Sequence, residues 1–455
     1  MRKKKIIFLI DSEQYIKNYF HGKLYERLKK KFNLLVLINS NSITKESKKY
    51  LKNLTYKTYS ENKKKDNFNN YFNVIALRNK HKSKYFNIRI KRIYRTDFRL
   101  FYENRNFIKV ALRIIINNLK IFYFQMLSVN FIYNNYTKKK IFNSSINNNL
   151  KSKVAFFMPD LVLKPSNAHS KIEFDLCELS RIYKFKNYFI IDNWDNLSSK
   201  TLFVKKPNYL GVWGNQTKKH AQIIQDIKKE NIDVIGSARY ESFYKSKHKK
   251  NQNKNKYILF LGTSWAWNEE AVLDALDIEI SFIKKEYENL EIIYRPHPLR
   301  QQKTAIDKKR WKNIFYDKQI NKKYFSSRIM PNLNYYPKLL SEAIFIIGGL
   351  TTMLLESAIF RKKYLAICFD DGKSFLNQKM AINYFPHLEN IQKIDSIKLI
   401  HNQSQLIDEF RKLIKKNKTH NFKLSSLEKN LDFFLSKKTE YFSKNLINCI
   451  SKRLN

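Results

Sequence analysis

Short apolar runs alternate with helix-patterned segments along most of this chain, and that alternation limits the possible folds more than any other feature. Lys5–Ile10 reads as a strand, Leu24–Lys31 as a helix and Leu34–Ile38 as a strand. A long basic helical region comes next. Strands are then predicted at Val154–Met158, Tyr188–Ile191, Tyr209–Val212 and Ile232–Ile235, with a helix from Gly214 to about Ile227. A second alternation opens with strand Tyr257–Leu261, helix Glu269–Lys285 and strands Glu291–Tyr294 and Asn313–Tyr316. It continues through helix Tyr336–Glu342, strand Ile344–Ile347, helix Thr351–Phe360 and strand Tyr364–Phe369, and from about Leu399 the pattern is helical. Such alternation predicts parallel sheets covered by helices. At 455 residues the chain exceeds one ordinary core. The expected organisation is an N-terminal α/β domain over residues 1–244, a polar linker at 245–256, a second α/β domain over 257–398 and a helical segment over 399–455.

Glycine marks the candidate site. Only 8 of the 455 residues are glycine, against a usual share of about 7%. Seven of the eight lie between Gly211 and Gly372. Gly236, Gly262 and the Gly348-Gly349 pair each follow a predicted strand directly, where a side chain would restrict the backbone. Open parallel sheets bind ligands beyond the carboxyl ends of their strands. Ordinary strand-to-helix turns would explain any one of these glycines alone.

In IFIIGGLTTMLLESAIF a strand ends at Ile347, the glycine pair turns the chain and a helix is expected from Thr351. Free N–H groups there, with the Thr351 and Thr352 hydroxyls, would hold a phosphate. Glu356 would accept from ribose hydroxyls; the competing reading is a capped helix with a solvated Glu. In EIIYRPHPLR the prolines fix His297 at a strand end, where it, Arg295 and Arg300 could donate to a phosphate. Gly262, Thr263 and Ser264 form a third strand exit with donors, and Trp265 or Trp267 either stacks on a base or fills the core. No Walker or GxGxxG spacing is present.

Charge adds a partner class. The chain has 88 Lys+Arg against 39 Asp+Glu, net +49, which suggests an anionic partner. Its wealth of Lys, Asn, Ile, Tyr and Phe also fits AT-rich coding, which explains part of the charge. Residues 1–150 carry 34 basic and 8 acidic residues, so the excess is concentrated there. In Asn106–Gln125, Lys109, Arg113, Asn117 and Lys120 recur opposite Phe107, Val110, Ile114, Ile121 and Phe124. That helix either docks on an anionic membrane surface or covers the N-terminal sheet. Three scattered cysteines and a short N-terminal apolar run predict a cytoplasmic protein, with peripheral docking at the inner membrane face as an option.

Read in order, four motifs resemble the CDP-glycerol glycerophosphotransferases and, more loosely, GT-B glycosyltransferases and UDP-sugar 2-epimerases. They are Gly236-Ser237-Ala238-Arg239-Tyr240-Glu241, Gly262-Thr263-Ser264-Trp265, Arg295-Pro296-His297-Pro298 and the stretch from Tyr336 to Glu356. The resemblance implies two Rossmann-like domains facing a cleft. A nucleotide-diphosphate-linked donor would be held by Arg239, Gly262, Thr263, Ser264, Arg295, His297, Gly348, Gly349, Thr351, Thr352 and Glu356. Where that family carries a catalytic His, this chain has Asp192-Asn193-Trp194-Asp195. Asp195 is the first candidate base and Asp192 the second, with His220, Glu173 and Asp175 as alternatives. No metal or other cofactor is required. The expected function is transfer of a glycosyl or polyol-phosphate group to a cell-envelope glycan or lipid-linked acceptor. A sugar-nucleotide epimerase of the same fold is the alternative. A nucleic-acid-binding protein is the remaining rival; no zinc finger, RNP motif or basic repeat supports it, and no specific nucleic acid is expected.

Overall fold

The computed structural model describes residues 2–61, 68–94, 107–247, 257–263, 267–283, 290–297, 310–317, 335–372, 377–418 and 428–455. These form two compact units. The first draws on residues up to 94, 107–241 and 432–455, and the second on 242–431.

The first unit is built on a parallel sheet: β1 (Lys5–Ile10), β2 (Asn33–Asn39), β3 (Tyr56–Tyr59), β4 (Leu161–Ser166), β5 (Lys186–Ile191), β6 (Tyr209–Val212) and β7 (Ile232–Val234). Their order is β3-β2-β1-β4-β5-β6-β7. Parallel strands covered on both faces need apolar residues on both sides, and Ile6 to Ile10 are fully buried without interruption. Ile6, Phe8 and Ile10 join one core, while Ile7 and Leu9 join the other. The final helix, Phe442–Leu454, returns to this unit and adds Phe442, Leu446 and Ile450 to the first core.

The second unit repeats the plan with β8 (Tyr257–Leu261), β9 (Ile292–Arg295), β10 (Ile314–Tyr316), β11 (Ala343–Gly348), β12 (Tyr364–Ile367) and β13 (Ile397–Ile400). Its order is β10-β9-β8-β11-β12-β13, all parallel. In both sheets the strand order reverses beside the first strand, between β1 and β4 and between β8 and β11. Those are the switch points where doubly wound sheets open a crevice for ligands.

Several expectations are corrected. Val154–Met158 is not a strand. It is the end of helix Asn148–Phe157, opened by the Asn147 side chain accepting from the Leu150 N–H and closed by Met158 at φ 50°. The strand lies just beyond, at Leu161–Ser166, where Lys164 and Pro165 obscure the apolar run. β3 was not expected. The chain after 399 is not simply helical: β13 completes the second sheet, helix Gln403–Lys418 follows, and residues 432–455 belong to the first unit. Of the expected linker, Lys245–Lys247 end helix Glu241–Lys247, and 248–256 lie outside the described residues.

Helix Phe107–Ser128 largely follows the covering alternative: Val110, Ile114 and Phe124 are buried while Lys109, Arg113 and Lys120 are exposed, although Phe107 faces out and Asn117 is buried. Phe124 and Leu127 pack with Val74 of helix Phe68–Arg78 and with Ile90. Among the described residues, no helix is long and apolar enough to cross a membrane.

Candidate functional site

The switch point of the second sheet is tightly cross-braced. The Gly262 N–H donates to the Arg295 carbonyl at 2.9 Å, tying the exit of β8 to that of β9. A Cβ on Gly262 would lie 2.9 Å from the His297 nitrogen, so close approach rather than an unusual φ demands glycine there. The same holds at the end of β11. A Cβ on Gly348 would lie 2.5 Å from the Leu261 carbonyl oxygen, and one on Gly349 would lie 2.3 Å from the Thr263 Cγ2. Left-handed φ is confined to Gly236 and Gly372 among the described glycines.

Side chains lock these exits together. Buried Glu269 accepts from the Thr263 N–H at 2.8 Å and from the Tyr294 hydroxyl at 2.7 Å. The Thr263 hydroxyl accepts from the Trp267 indole N–H at 3.0 Å, so Trp267, buried, is held in the core rather than offered for stacking. Gln378 joins the set: its Oε1 accepts from the Leu350 N–H at 2.8 Å, and its Nε2 lies 3.4 Å from the Thr263 hydroxyl. Nothing in the sequence pattern singled out Glu269, six residues beyond Thr263, or Gln378, 28 residues beyond Leu350, because neither lies in the turn it braces.

The helix after the glycine pair begins at Met353 and runs to Ile359, shorter than expected. Two of the N–H groups expected to be free are engaged within the protein. Leu350 donates to Gln378, and Met353 donates to the Thr351 hydroxyl at 3.1 Å. Thr351 and Thr352 are half-buried at this turn. Glu356 is fully buried rather than solvated. Arg295 is also buried; its guanidinium meets the Tyr336 hydroxyl and ring and lies 3.9 Å from Asp317. That commits it largely to the interior. His297 is half-buried directly after Pro296. Ser264, Trp265, Pro298 and Arg300 lie outside the described residues.

Arg239 is placed in the first unit, not the second. It sits on a 3₁₀ turn, Ala238–Tyr240, after Gly236, whose φ of +86° suits glycine alone. There it belongs with a charged cluster at the carboxyl ends of β1, β4 and β5. Lys164, buried within β4, lies 3.0 Å from Asp11 and 3.4 Å from Glu173. Glu173 also accepts from the Ser166 hydroxyl at 2.7 Å. Burial alone would lower the Lys164 pKa, but Asp11 and Glu173 outweigh it and raise it. Burial pushes Glu173 up against the pull of Lys164 and Ser166. Asp11 Oδ1 is buried with no hydrogen-bond partner among the described residues.

Asp192 leaves β5 into this cluster. Its N–H donates to the Ser166 carbonyl at 3.0 Å, and its carboxylate accepts from the Asn18 amide at 3.2 Å. Burial drives its pKa up to about 6, only partly opposed by the Asn18 hydrogen bond and by Arg239 and Lys164. Asp195 is different. The Ser199 hydroxyl donates to its carboxylate at 2.8 Å, Lys200 stands 3.5 Å away, and its carbonyl receives the Ser198 and Ser199 N–H groups. Asp195 is bound up in a local turn. Asp175 caps the Asn147 N–H at 3.2 Å, and His220 is buried within helix Asn215–Ile223. Asp11 and Lys164 were missed, although Asp11 directly follows a strand, as Gly262 does.

The two units carry parallel sheets of seven and six strands, each with a reversal of strand order. The fold is GT-B-like. No family model and no curated protein matches the chain by sequence. Solved structures match it along its whole length. A UDP-N-acetylglucosamine 2-epimerase matches at TM-score 0.53 and 10% identity, over 100% of this chain and 98% of that one. The Neisseria meningitidis UDP-GlcNAc 2-epimerase, bound to UDP-GlcNAc, matches at 0.51 and 11%, over 98% and 100%. The Methanocaldococcus jannaschii UDP-GlcNAc 2-epimerase matches at 0.50 and 12%, over 98% and 99%. At such identities the likeness shows the fold. The expectation of a transferase is corrected by this set: its members are epimerases, which backs the alternative reading instead.

Proposed function

We propose that the chain is a sugar-nucleotide epimerase acting on a nucleoside-diphosphate-linked sugar, with a UDP-linked sugar as the first candidate. The observation that carries this reading is the glycine-built switch point of the second sheet, where Gly262 and Gly348-Gly349 admit no Cβ. Glycine there lets the exits of three strands pack against one another at the switch point, the position where doubly wound sheets take nucleotides. His297, Thr351 and Thr352 supply side-chain donors for the diphosphate.

Epimerisation removes a proton from one face of a carbon and returns one to the other, so it needs acid–base groups that change protonation near working pH. Asp192, raised to about 6, meets that need, whereas the Asp195 carboxylate is engaged by Ser199 and Lys200. The neighbouring Lys164 and Arg239 offset negative charge, and Asp11 offers an open acceptor. Support for the sugar nucleotide comes from the fold neighbours, one of which holds UDP-GlcNAc.

Incubating the full chain with UDP-GlcNAc in D₂O tests the reading. The expected result is deuterium at one sugar carbon, detected by NMR, together with an epimeric UDP-sugar and no acceptor present. UDP should also raise the melting temperature by mass action, and that shift should disappear in the His297→Ala/Thr352→Ala double variant. Absence of exchange with UDP-GlcNAc and the other UDP-sugars, alongside intact UDP binding, would overturn epimerisation. An unchanged shift in the double variant would overturn the diphosphate assignment.

A further inference from the structure

Helix Phe107–Ser128 has two apolar faces, and only one is used. Val110, Ile114, Phe124 and Leu127 turn inward. On the opposite side Ile108, Leu112, Ile115, Leu119, Phe122 and Met126 are between 40% and 75% exposed. At 100° per residue these six fall within one narrow stripe along the helix. Just beyond its end Phe131 is 76% exposed. Scattered surface apolar residues need no explanation, but a contiguous stripe marks an interaction surface.

Charge identifies what it meets. Lys109, Arg113 and Lys120, all exposed, border the stripe along one edge. From Asn104 to Pro159 the sequence contains nine basic residues and not one acidic residue. An apolar stripe with a basic border suits the boundary of an anionic bilayer, where acyl chains take the stripe and phosphates take the cations. A second copy of the chain would bring two such basic edges together and suits it less. The helix spans about 33 Å at 1.5 Å per residue, and since it cannot cross the membrane it would lie along its surface.

We propose that this face of Phe107–Ser128 docks the protein on an anionic lipid surface. Unlike the expectation read from sequence, the docking residues are Ile108, Leu112, Ile115, Leu119, Phe122 and Met126, while Val110, Ile114 and Phe124 serve the interior. Sedimentation of the full chain with vesicles of phosphatidylcholine, with and without phosphatidylglycerol, tests it. Binding should be on the order of ten-fold stronger to the anionic vesicles and should weaken sharply between about 0.1 and 0.5 M salt. Leu112→Gln/Leu119→Gln should lower it by on the order of ten-fold with an unchanged melting temperature, because both side chains are already in water. The salt arm uses the unaltered protein, so it decides the matter even if that variant folds poorly. Equal binding to both vesicle types, or binding to neither, would overturn the proposal. So would light scattering that shows a dimer broken by the same substitutions.

Discussion

Asp192 and Asp195 stand three residues apart and meet opposite surroundings. Both are half-buried, but Asp195 finds a hydroxyl and an ammonium close by, whereas Asp192 has one good amide donor. A carboxyl displaced from 3.8 to about 6 binds its proton more tightly folded than unfolded. Its ionised form therefore costs stability above pH 6, by at most about 3 kcal/mol, and that cost is relieved as pH falls from about 6 towards 4. Asp192→Asn should accordingly stabilise the protein at pH 7.5 by roughly 1–3 kcal/mol, with the gain shrinking towards pH 4 in urea melts. If Asp192 is the acid–base group, the same substitution should cut turnover by about 10²–10⁴-fold. In the unaltered protein, activity should fall below about pH 6. Asp195→Asn should leave turnover within a few-fold. Turnover lost in Asp195→Asn and kept in Asp192→Asn would reverse the assignment. The sequence showed both carboxylates at a strand exit; only their neighbours in space, Asn18, Ser166 and Arg239, separate them.

Elements were legible where a strand reads as unbroken apolar residues. β1 and β8 were anticipated at their observed limits because both faces of each are covered by helices. β4 was not, because LVLKPS carries a charge and a proline. Lys164 is tolerated in the interior through Asp11 and Glu173, which lie outside the strand, together with the Pro165 carbonyl. In Phe107–Ser128 the polar positions marked the inner face, Val110, Ile114 and Phe124, but the second apolar face on the other side shows only once exposure is known. The final helix carries a prediction of its own. Leu446 is fully buried in the core of the first unit. Leu446→Ala should destabilise by about 2–5 kcal/mol, read from urea melts. A loss under about 1 kcal/mol would mean that the helix is only loosely attached.

At the scale of the molecule, the net charge of +49 predicts weak, non-specific attraction to any polyanion. A gel shift with duplex DNA should appear at low salt and vanish near physiological ionic strength, as expected for counterion release without base contacts. Persistent, sequence-selective binding would revive a nucleic-acid role. Sequence by itself determined the α/β class, the parallel sheets and the strand exits that carry Gly262 and Gly348-Gly349, because these depend on local periodicity and on backbone space that a side chain would fill. Tertiary structure alone decided three things. It gathered Asp11, Lys164, Glu173 and Asp192 at one end of the first sheet, and it braced the second switch point with Glu269 and Gln378. It also returned residues 432–455 to the first unit. The physical reason is common to all three: burial, hydrogen bonding and charge pairing act through distance in space, whether the partners are six residues apart, as Thr263 and Glu269 are, or more than a hundred, as Lys164 and Asp11 are, and one-dimensional spacing does not encode it.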